Sequence, residues 1–385
     1  LPLDSVVLDW TWDNIAQDSL FVDLGFPLIN GQSTVIEIGS QSFVSGEEYA
    51  ITAWTRLPNG EPDDNVSNDT ISSTIATGVR DTFTIGGTSP DFATFTAAIT
   101  FLESTGICDT TWIMVSPGTY TEQLTIPWIS GASSSQIIFR AENGDSSSVI
   151  LQFDPTTTNK HVVRFNNAAG ITWERMTSNA LGTDFGRVFQ FDVNSFNNTI
   201  QHCAINGINT SSTSNSFSCI YADNSFSDNL IRHNTIKNGS YGIQHAFSSN
   251  NKKSFEVRSN RIENFSSMGL QFPNVSGLQV HGNTISSAKN NVVGIEVAGD
   301  NDTLDISSNK IELSSGWIGI KLDECTPAGN ARANLSNNMV YINHASAFVY
   351  GIYCFYTERT NIFQNTTKVS GPNVESAAFL LNESF

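Results

Sequence analysis

Positive charge is scarce in this 385-residue chain: 19 Lys and Arg stand against 37 Asp and Glu, a formal net charge of −18. Nucleic acid and anionic membrane surfaces are excluded as partners by that balance. A polyanionic glycan is disfavoured unless a cation bridges the two. Charged residues of either sign make up only 15% of the chain, while Ser, Thr, Asn and Gly are plentiful, a composition of secreted β-solenoids. No run of about 18 apolar residues occurs, so no membrane-spanning helix is expected. The five cysteines (Cys108, Cys203, Cys219, Cys325, Cys354) have no metal-ligand spacing, and an odd count allows two internal disulfides at most. They read as buried small hydrophobes. The chain starts at Leu1 without Met and stops at Phe385 within what reads as another coil, so a piece of a longer polypeptide is expected.

What is present is a repeat. Two aliphatic residues five apart recur every 23 to 31 residues, with Asn three after the first. The first members are Ile231, Val257, Val280, Ile306, Leu335 and Ile362; the Asn residues are Asn234, Asn260, Asn283, Asn309, Asn338 and Asn365. Ile236, Ile262, Ile285, Ile311 and Val340 are the second members, and Thr367 breaks that run. Between them lies a Gly followed by an aliphatic: Gly242-Ile243, Gly269-Leu270, Gly294-Ile295, Gly319-Ile320 and Gly351-Ile352. Two registers sharing one period imply stacked coils. The segments are strand-like and the Leu-x-x-Leu-x-Leu frame of leucine-rich repeats is missing, which leaves a parallel β-helix. The near-universal right-handed crossover makes it right-handed. Asn is expected at a left-handed bend with its amide bonded to the next coil, and Gly where backbones pack closely. The frame decays toward Ile200/Ile205 and Ile171/Met176.

The fold class is therefore all-β with three parts. Residues 1–80 show short alternating runs (Val6-Val7-Leu8, Phe21-Val22, Thr34 to Ile38, Tyr49 to Trp54), predicting an immunoglobulin-like β-sandwich. Residues 81–126 enter the β-helix. There Phe92, Phe95, Ile99 and Leu102 predict a capping helix begun near Ser89-Pro90-Asp91, since a bare solenoid end exposes unpaired edges. Residues 127–385 form the right-handed parallel β-helix itself.

Asp91-Phe92-Ala93-Thr94-Phe95 followed by Pro117-Gly118-Thr119-Tyr120-Thr121-Glu122 resembles the entry to pectin methylesterase-like and pectate lyase-like β-helix domains. Trp54 to Gly60 and Asn68-Asp69-Thr70 resemble the immunoglobulin-like modules of large Bacteroidetes surface proteins. The second resemblance implies type IX secretion, an extracellular or cell-surface location, and neighbouring domains in the same polypeptide. The first implies a pectin-type fold but not its chemistry. Where the esterases place Gln-Asp-Thr-Leu and Asp-Phe-Ile-Phe-Gly, this chain has Ile208-Asn209-Thr210-Ser211 and Asn238-Gly239-Ser240-Tyr241-Gly242. The Gly-His-Gly motif of polygalacturonases is reduced to Val280-His281-Gly282.

If the residues after each Gly point inward, the next point out: Gln244, Gln271, Glu296, Lys321 and Tyr353. Lys321 with Glu296 and Asp323 is the one loose candidate for lyase chemistry, where Lys would act as base; its plain alternative is a solvated charge cluster. Tyr241, Trp317, Tyr350, Tyr353 and Tyr356 are candidate sugar-stacking residues, or loop packing onto the solenoid. The acidic turns Asp300-Asn301-Asp302-Thr303-Leu304-Asp305 and Asp63-Asp64-Asn65 to Asp69 are oxygen-rich, and one Ca²⁺ is expected. The six histidines read as surface ladder residues. Ser5, Ser19, Thr70, Thr110 and Thr303 fit the Asp-Ser/Thr-apolar O-glycosylation pattern that the second resemblance implies. The expected role is structural or adhesive, with glycans or other surface proteins as partners; a β-helix polysaccharide lyase or carbohydrate esterase is the rival.

Overall fold

The computed structural model describes residues 2–44, 47–192, 194–223, 227–246, 254–299, 303–327, 331–344 and 348–382. The chain divides into two units, one of residues 1–80 with 105–108, the other of 81–104 with 109–385.

In the first unit, Leu3–Trp12 is the central strand. It pairs antiparallel with Ile15–Ala16, Leu20–Leu28 and Glu48–Arg56, and Thr70–Ala76 adds to the last. The described residues of this unit form this one five-stranded sheet. Trp12, Phe43 and Tyr49 pack edge to face and tilted at 4.8 to 5.5 Å, the geometry ring quadrupoles favour. The strand expected over Thr34–Ile38 is absent: that stretch makes no ladder and Val35 is 98% exposed. Alternation of Val and Ile there has no buried surface to face, so the pattern alone does not create a strand.

From Thr82 onward the chain is a right-handed-type parallel β-solenoid of about ten turns, with three parallel sheets. One coil illustrates all: Leu278–His281 lies in the first sheet, Thr284–Ser287 in the second and Val293–Ala298 in the third. Each strand pairs in register with its equivalents one coil before and after. Ile231, Val257, Val280, Ile306 and Leu335 stack in one buried column, as do Ile236, Ile262, Ile285, Ile311 and Val340. Ile362 continues the first column but is half-buried. Each buried Ile or Val contributes roughly 1.5–3 kcal/mol of transfer free energy. In the early coils aromatics fill the same volume: Phe139 lies 5.4 Å from Trp173, and Phe165 stacks on Phe191 at 4.6 Å.

Both repeat marks have a physical cause. A Cβ on Gly269, Gly294 or Gly319 would lie 2.5–2.6 Å from the carbonyl oxygen of the next marked Gly, so any side chain is excluded. Asn234, Asn260, Asn283, Asn309 and Asn338 are buried and Asn365 half-buried, and their amides form a ladder: each Nδ2 donates to the Oδ1 of the next Asn at 2.9–3.0 Å, from Asn234 to Asn365. The left-handed conformation expected of Asn belongs instead to the residue before it. His202, His233, Ser259, Gly282, Ser308, Asn337 and Gln364 all have positive φ. The bend is made by one residue and locked by the next.

A helix forms at the predicted place, Phe95–Thr105, with Phe95, Ile99 and Leu102 buried. It begins later than expected because Phe92 is held in a β-bridge with Ile85, its N–H donating to Thr84 O at 3.0 Å. Glu122 caps the helix: Oε1 accepts from Phe95 N–H and Oε2 from Thr96 N–H, both 3.0 Å. Phe95 rests 5.2 to 6.3 Å from Tyr120, Phe139 and Trp173. Cys203, Cys219, Cys325 and Cys354 are buried and Cys108 is exposed. Burial pushes Cys203 and Cys219 up to about 12, making them inert as nucleophiles.

Candidate functional site

The outer row of the third sheet is continuous. Register aligns Arg164, Gln190, Tyr221, Gln244, Gln271, Glu296, Lys321 and Tyr353 on successive rungs. The residue before each of the last five (Ile243, Leu270, Ile295, Ile320, Ile352) is fully buried, so the row faces outward as the sequence predicts. Rungs about 4.8 Å apart let side-chain amides reach each other. Ser218 Oγ donates to Gln244 Oε1 (2.7 Å), Gln244 Nε2 to Gln271 Oε1 (2.8 Å), and Gln271 Nε2 to Glu296 Oε2 (2.9 Å). Lys321 Nζ closes the chain on Glu296 Oε1 at 3.0 Å and on Asp323 Oδ2 at 2.6 Å.

Lys321, Glu296 and Asp323 are therefore brought together, but not for base catalysis. Burial disfavours the Lys321 charge; the hydrogen bonds it donates to Asp323 and Glu296, with their charges, outweigh it and hold its pKa above the ordinary lysine value. A general base needs the opposite shift.

The aromatic candidates divide. Tyr350, Tyr353, Phe355 and Tyr356 form one cluster with successive centroid distances of 5.4, 6.2 and 4.3 Å. Tyr356 is 43% exposed and Trp317 44%. Tyr241 is buried, which removes it from a sugar-stacking surface: it sits over the inward-facing end of its strand in register with Met268. Beside the row, at the strand exits, runs a groove of about 690 Å³ lined by Asn274, Ala298, Gly299, Glu324, Thr326 and Tyr356.

A second polar cluster sits at the early end of the row and escaped the sequence reading. Arg187 is buried; its Nε donates to Asn215 O (3.1 Å) and Nη1 to Gln190 Oε1 (2.9 Å), while its guanidinium lies 3.4 Å from the Tyr221 ring centroid. Gln190 Nε2 donates to Asp192 Oδ1 at 2.8 Å, and Asp192 pairs with Arg164. Asp223 follows Ala222, the rung partner of Phe191, so two carboxylates occupy matching positions on neighbouring coils. Burial pushes the Arg187 pKa down and the Tyr221 pKa up, the latter opposed by Arg187. His161 is buried here and driven down to about 4 by burial, then by Arg164. His245, near Asp223, is likewise lowered to about 4 by burial. With His344, also buried, His161 corrects the expectation of surface histidines; His202 and His233 do stack as a ladder at 5.0 Å. The period-two spacing Gln190-x-Asp192 and Tyr221-x-Asp223 was the available signal.

Of the metal candidates, Asp300 and Asp302 lie outside the described residues. Asp305 is on the first sheet, in register with Gln279 and Asn334. Asp69 is shifted up by burial and then by the neighbouring Asp63, while Asp64 is exposed. Among the described residues no group of three His, Cys, Asp or Glu converges to hold a metal ion. Of the five O-glycosylation candidates, Ser19, Thr70 and Thr303 are exposed and Ser5 and Thr110 half-buried. No helix among the described residues is long and apolar enough to cross a membrane.

The sequence matches no protein family and no curated protein. Solved structures share the β-helix. The Dettilon tailspike protein is 14% identical at a TM-score of 0.44, over 72% of this chain and 55% of its own. Pectin methylesterase from carrot is 13% identical at 0.40, over 81% and 90%. That from Aspergillus niger is 11% identical at 0.37, over 79% and 91%. This chain thus spans about half the length of the tailspike. At such values these likenesses assign no activity.

Proposed function

We propose that this chain is a structural, glycan-contacting β-helix of an extracellular or cell-surface protein, preceded by an immunoglobulin-like module of the Bacteroidetes type. The observation that carries the reading is the hydrogen-bonded row from Ser218 to Asp323, ending in the Tyr350 to Tyr356 cluster. Amides, carboxylates and aromatic faces on a rigid sheet are the groups that bind sugar hydroxyls and ring faces without performing chemistry. In this reading the acidic loops hold Ca²⁺, and the exposed Ser19, Thr70 and Thr303 carry O-linked glycans. The test is binding to a panel of oligosaccharides together with product assays on pectin, polygalacturonate and alginate. Binding without turnover supports the proposal; binding to none of the panel overturns it.

A second reading is favoured by the Arg187 cluster. Two carboxylates on adjacent rungs, with two guanidiniums and a tyrosine, are the group types that hydrolysis of a glycan ester or glycosidic bond uses. Turnover abolished by Asp223→Asn, with binding retained, would promote this enzyme reading over the first.

A further inference from the structure

Along the strand exits of the third sheet, Pro273, Ala298, Asp323 and Phe355 are rung partners. The residues that follow them, Asn274, Gly299, Glu324 and Tyr356, all take left-handed backbone, with φ of 50°, 75°, 53° and 46°. Equal backbone conformation on four successive rungs sets these residues in one column, each directing its side chain alike. At the second rung that side chain is missing. Nothing larger fits: a Cβ on Gly299 would lie 2.0 Å from Asn274 Oδ1, and φ there is unfavourable for any L residue. The space directly over Gly299 is taken by the Asn274 amide, and beside it, with Ala298 also small, the column is notched into the groove of about 690 Å³.

Its walls differ in chemistry. Asn274, Glu324 and Thr326 contribute amide, carboxylate and hydroxyl, and the Tyr356 ring, 43% exposed and braced edge-on by Phe355 at 4.3 Å, adds an aromatic face. Such a volume suits one or two pyranose rings, held by stacking on the tyrosine and by hydrogen bonds to amide, hydroxyl and carboxylate. Charge decides which sugars. Glu324 lines the notch, and Asp323 before it shares Lys321 with Glu296 on the adjoining row. With −18 over the whole chain and a carboxylate on the groove wall, an anionic sugar meets repulsion.

We propose that the Gly299 notch is a subsite for an uncharged hexopyranose unit, and that uronate and sulfated sugars are rejected there. The inference rests on the glycan-contact reading and adds both the place and the substrate class. The full chain is titrated calorimetrically with neutral gluco-, manno- and galacto-oligosaccharides and with oligogalacturonate, in the wild type and in Tyr356→Ala and Glu324→Lys. One neutral series should bind, Tyr356→Ala should weaken it at least tenfold at an unchanged melting temperature, and oligogalacturonate should bind only to Glu324→Lys. Neutral binding indifferent to Tyr356→Ala overturns the notch while leaving glycan contact standing. Wild-type preference for oligogalacturonate overturns the charge argument, and no binding by any series overturns both proposals.

Discussion

Asn283 Nδ2 donates to Asn309 Oδ1 at 3.0 Å, and the same oxygen accepts the backbone N–H of Asn283, also at 3.0 Å. One amide therefore satisfies two buried donors, while its own Nδ2 donates back to Val280 O at 2.8 Å. Asn309→Ala strands those groups away from water, at about 1–3 kcal/mol each. A loss of about 3 kcal/mol or more is expected in urea unfolding. Asn365→Ala, on the half-buried last rung, should cost clearly less. Equal losses would show that the ladder is not held together by burial.

The marked glycines make a sharper case. Gly294→Ala puts a methyl 2.5 Å from Gly319 O and 2.7 Å from an Ile311 methyl, both in the packed interior between coils. Neither can withdraw without moving its own rung. Destabilisation of about 2 kcal/mol or more is expected from overpacking, whereas Gly25→Ala, with nothing within 4 Å, should be limited to the strain of its positive φ. Thermal melts of the two variants check the ranking.

These two marks were legible in the sequence because each coil repeats the same demand: an aliphatic inside, an amide at the corner, no side chain at the crossing. Which residue takes the left-handed bend was not legible. His233, Ser259 and Gln364 have nothing in common except the position before a ladder Asn, and His202 takes the same bend before Cys203. The Arg187 cluster was hidden for the opposite reason. In the early coils Phe165, Trp173 and Phe191 fill the core where Ile does later, so the repeat that reports register is lost just where the polar row begins. Tyr241 shares its strand register with Tyr350, yet it is buried where Tyr350 is half-buried, so the period alone did not separate them.

The helix cap gives a third expectation. Glu122 supplies both carboxylate oxygens to the first turn, to Phe95 N–H and to Thr96 N–H, with Thr96 Oγ1 at 2.7 Å. Glu122→Ala should cost about 1–2 kcal/mol. Glu122→Gln keeps one acceptor and should cost less. Hydrogen exchange at Phe95 and Thr96 is the direct readout, and unchanged protection in Glu122→Ala would remove the cap.

Acid should weaken the solenoid through two histidines. His161 and His245 have folded pKa values of about 4, lowered chiefly by burial, against about 6.5 when unfolded. Above pH 6.5 both states are neutral and nothing is lost. Between 6.5 and 4 the unfolded chain binds the proton and the folded chain does not, so stability falls as pH falls, by up to about 3 kcal/mol per histidine. Urea midpoints measured from pH 7.5 to 4 should show this slope, flattened in His161→Gln/His245→Gln relative to its own value at pH 7.5. A wild-type profile without slope over that window would refute it.

Lys321 should prove to be a strut between carboxylates. Its side chain is 21% exposed, Glu296 12% and Asp323 28%, so Lys321→Ala leaves two part-buried negative charges facing each other. A cost of about 1–3 kcal/mol is expected at pH 7. Because the folded pKa of Lys321 lies above its ordinary value, the pair's contribution is fully present below about pH 10.5 and is lost only as pH rises through the folded pKa. Glu296→Gln on the Lys321→Ala background should recover part of the loss, since the amide extends the Gln244–Gln271 run and leaves a single carboxylate. A double-mutant cycle by urea unfolding measures this. Additive losses would mean that Lys321 and Glu296 do not interact, and the row would then be a set of separate rungs with no shared support.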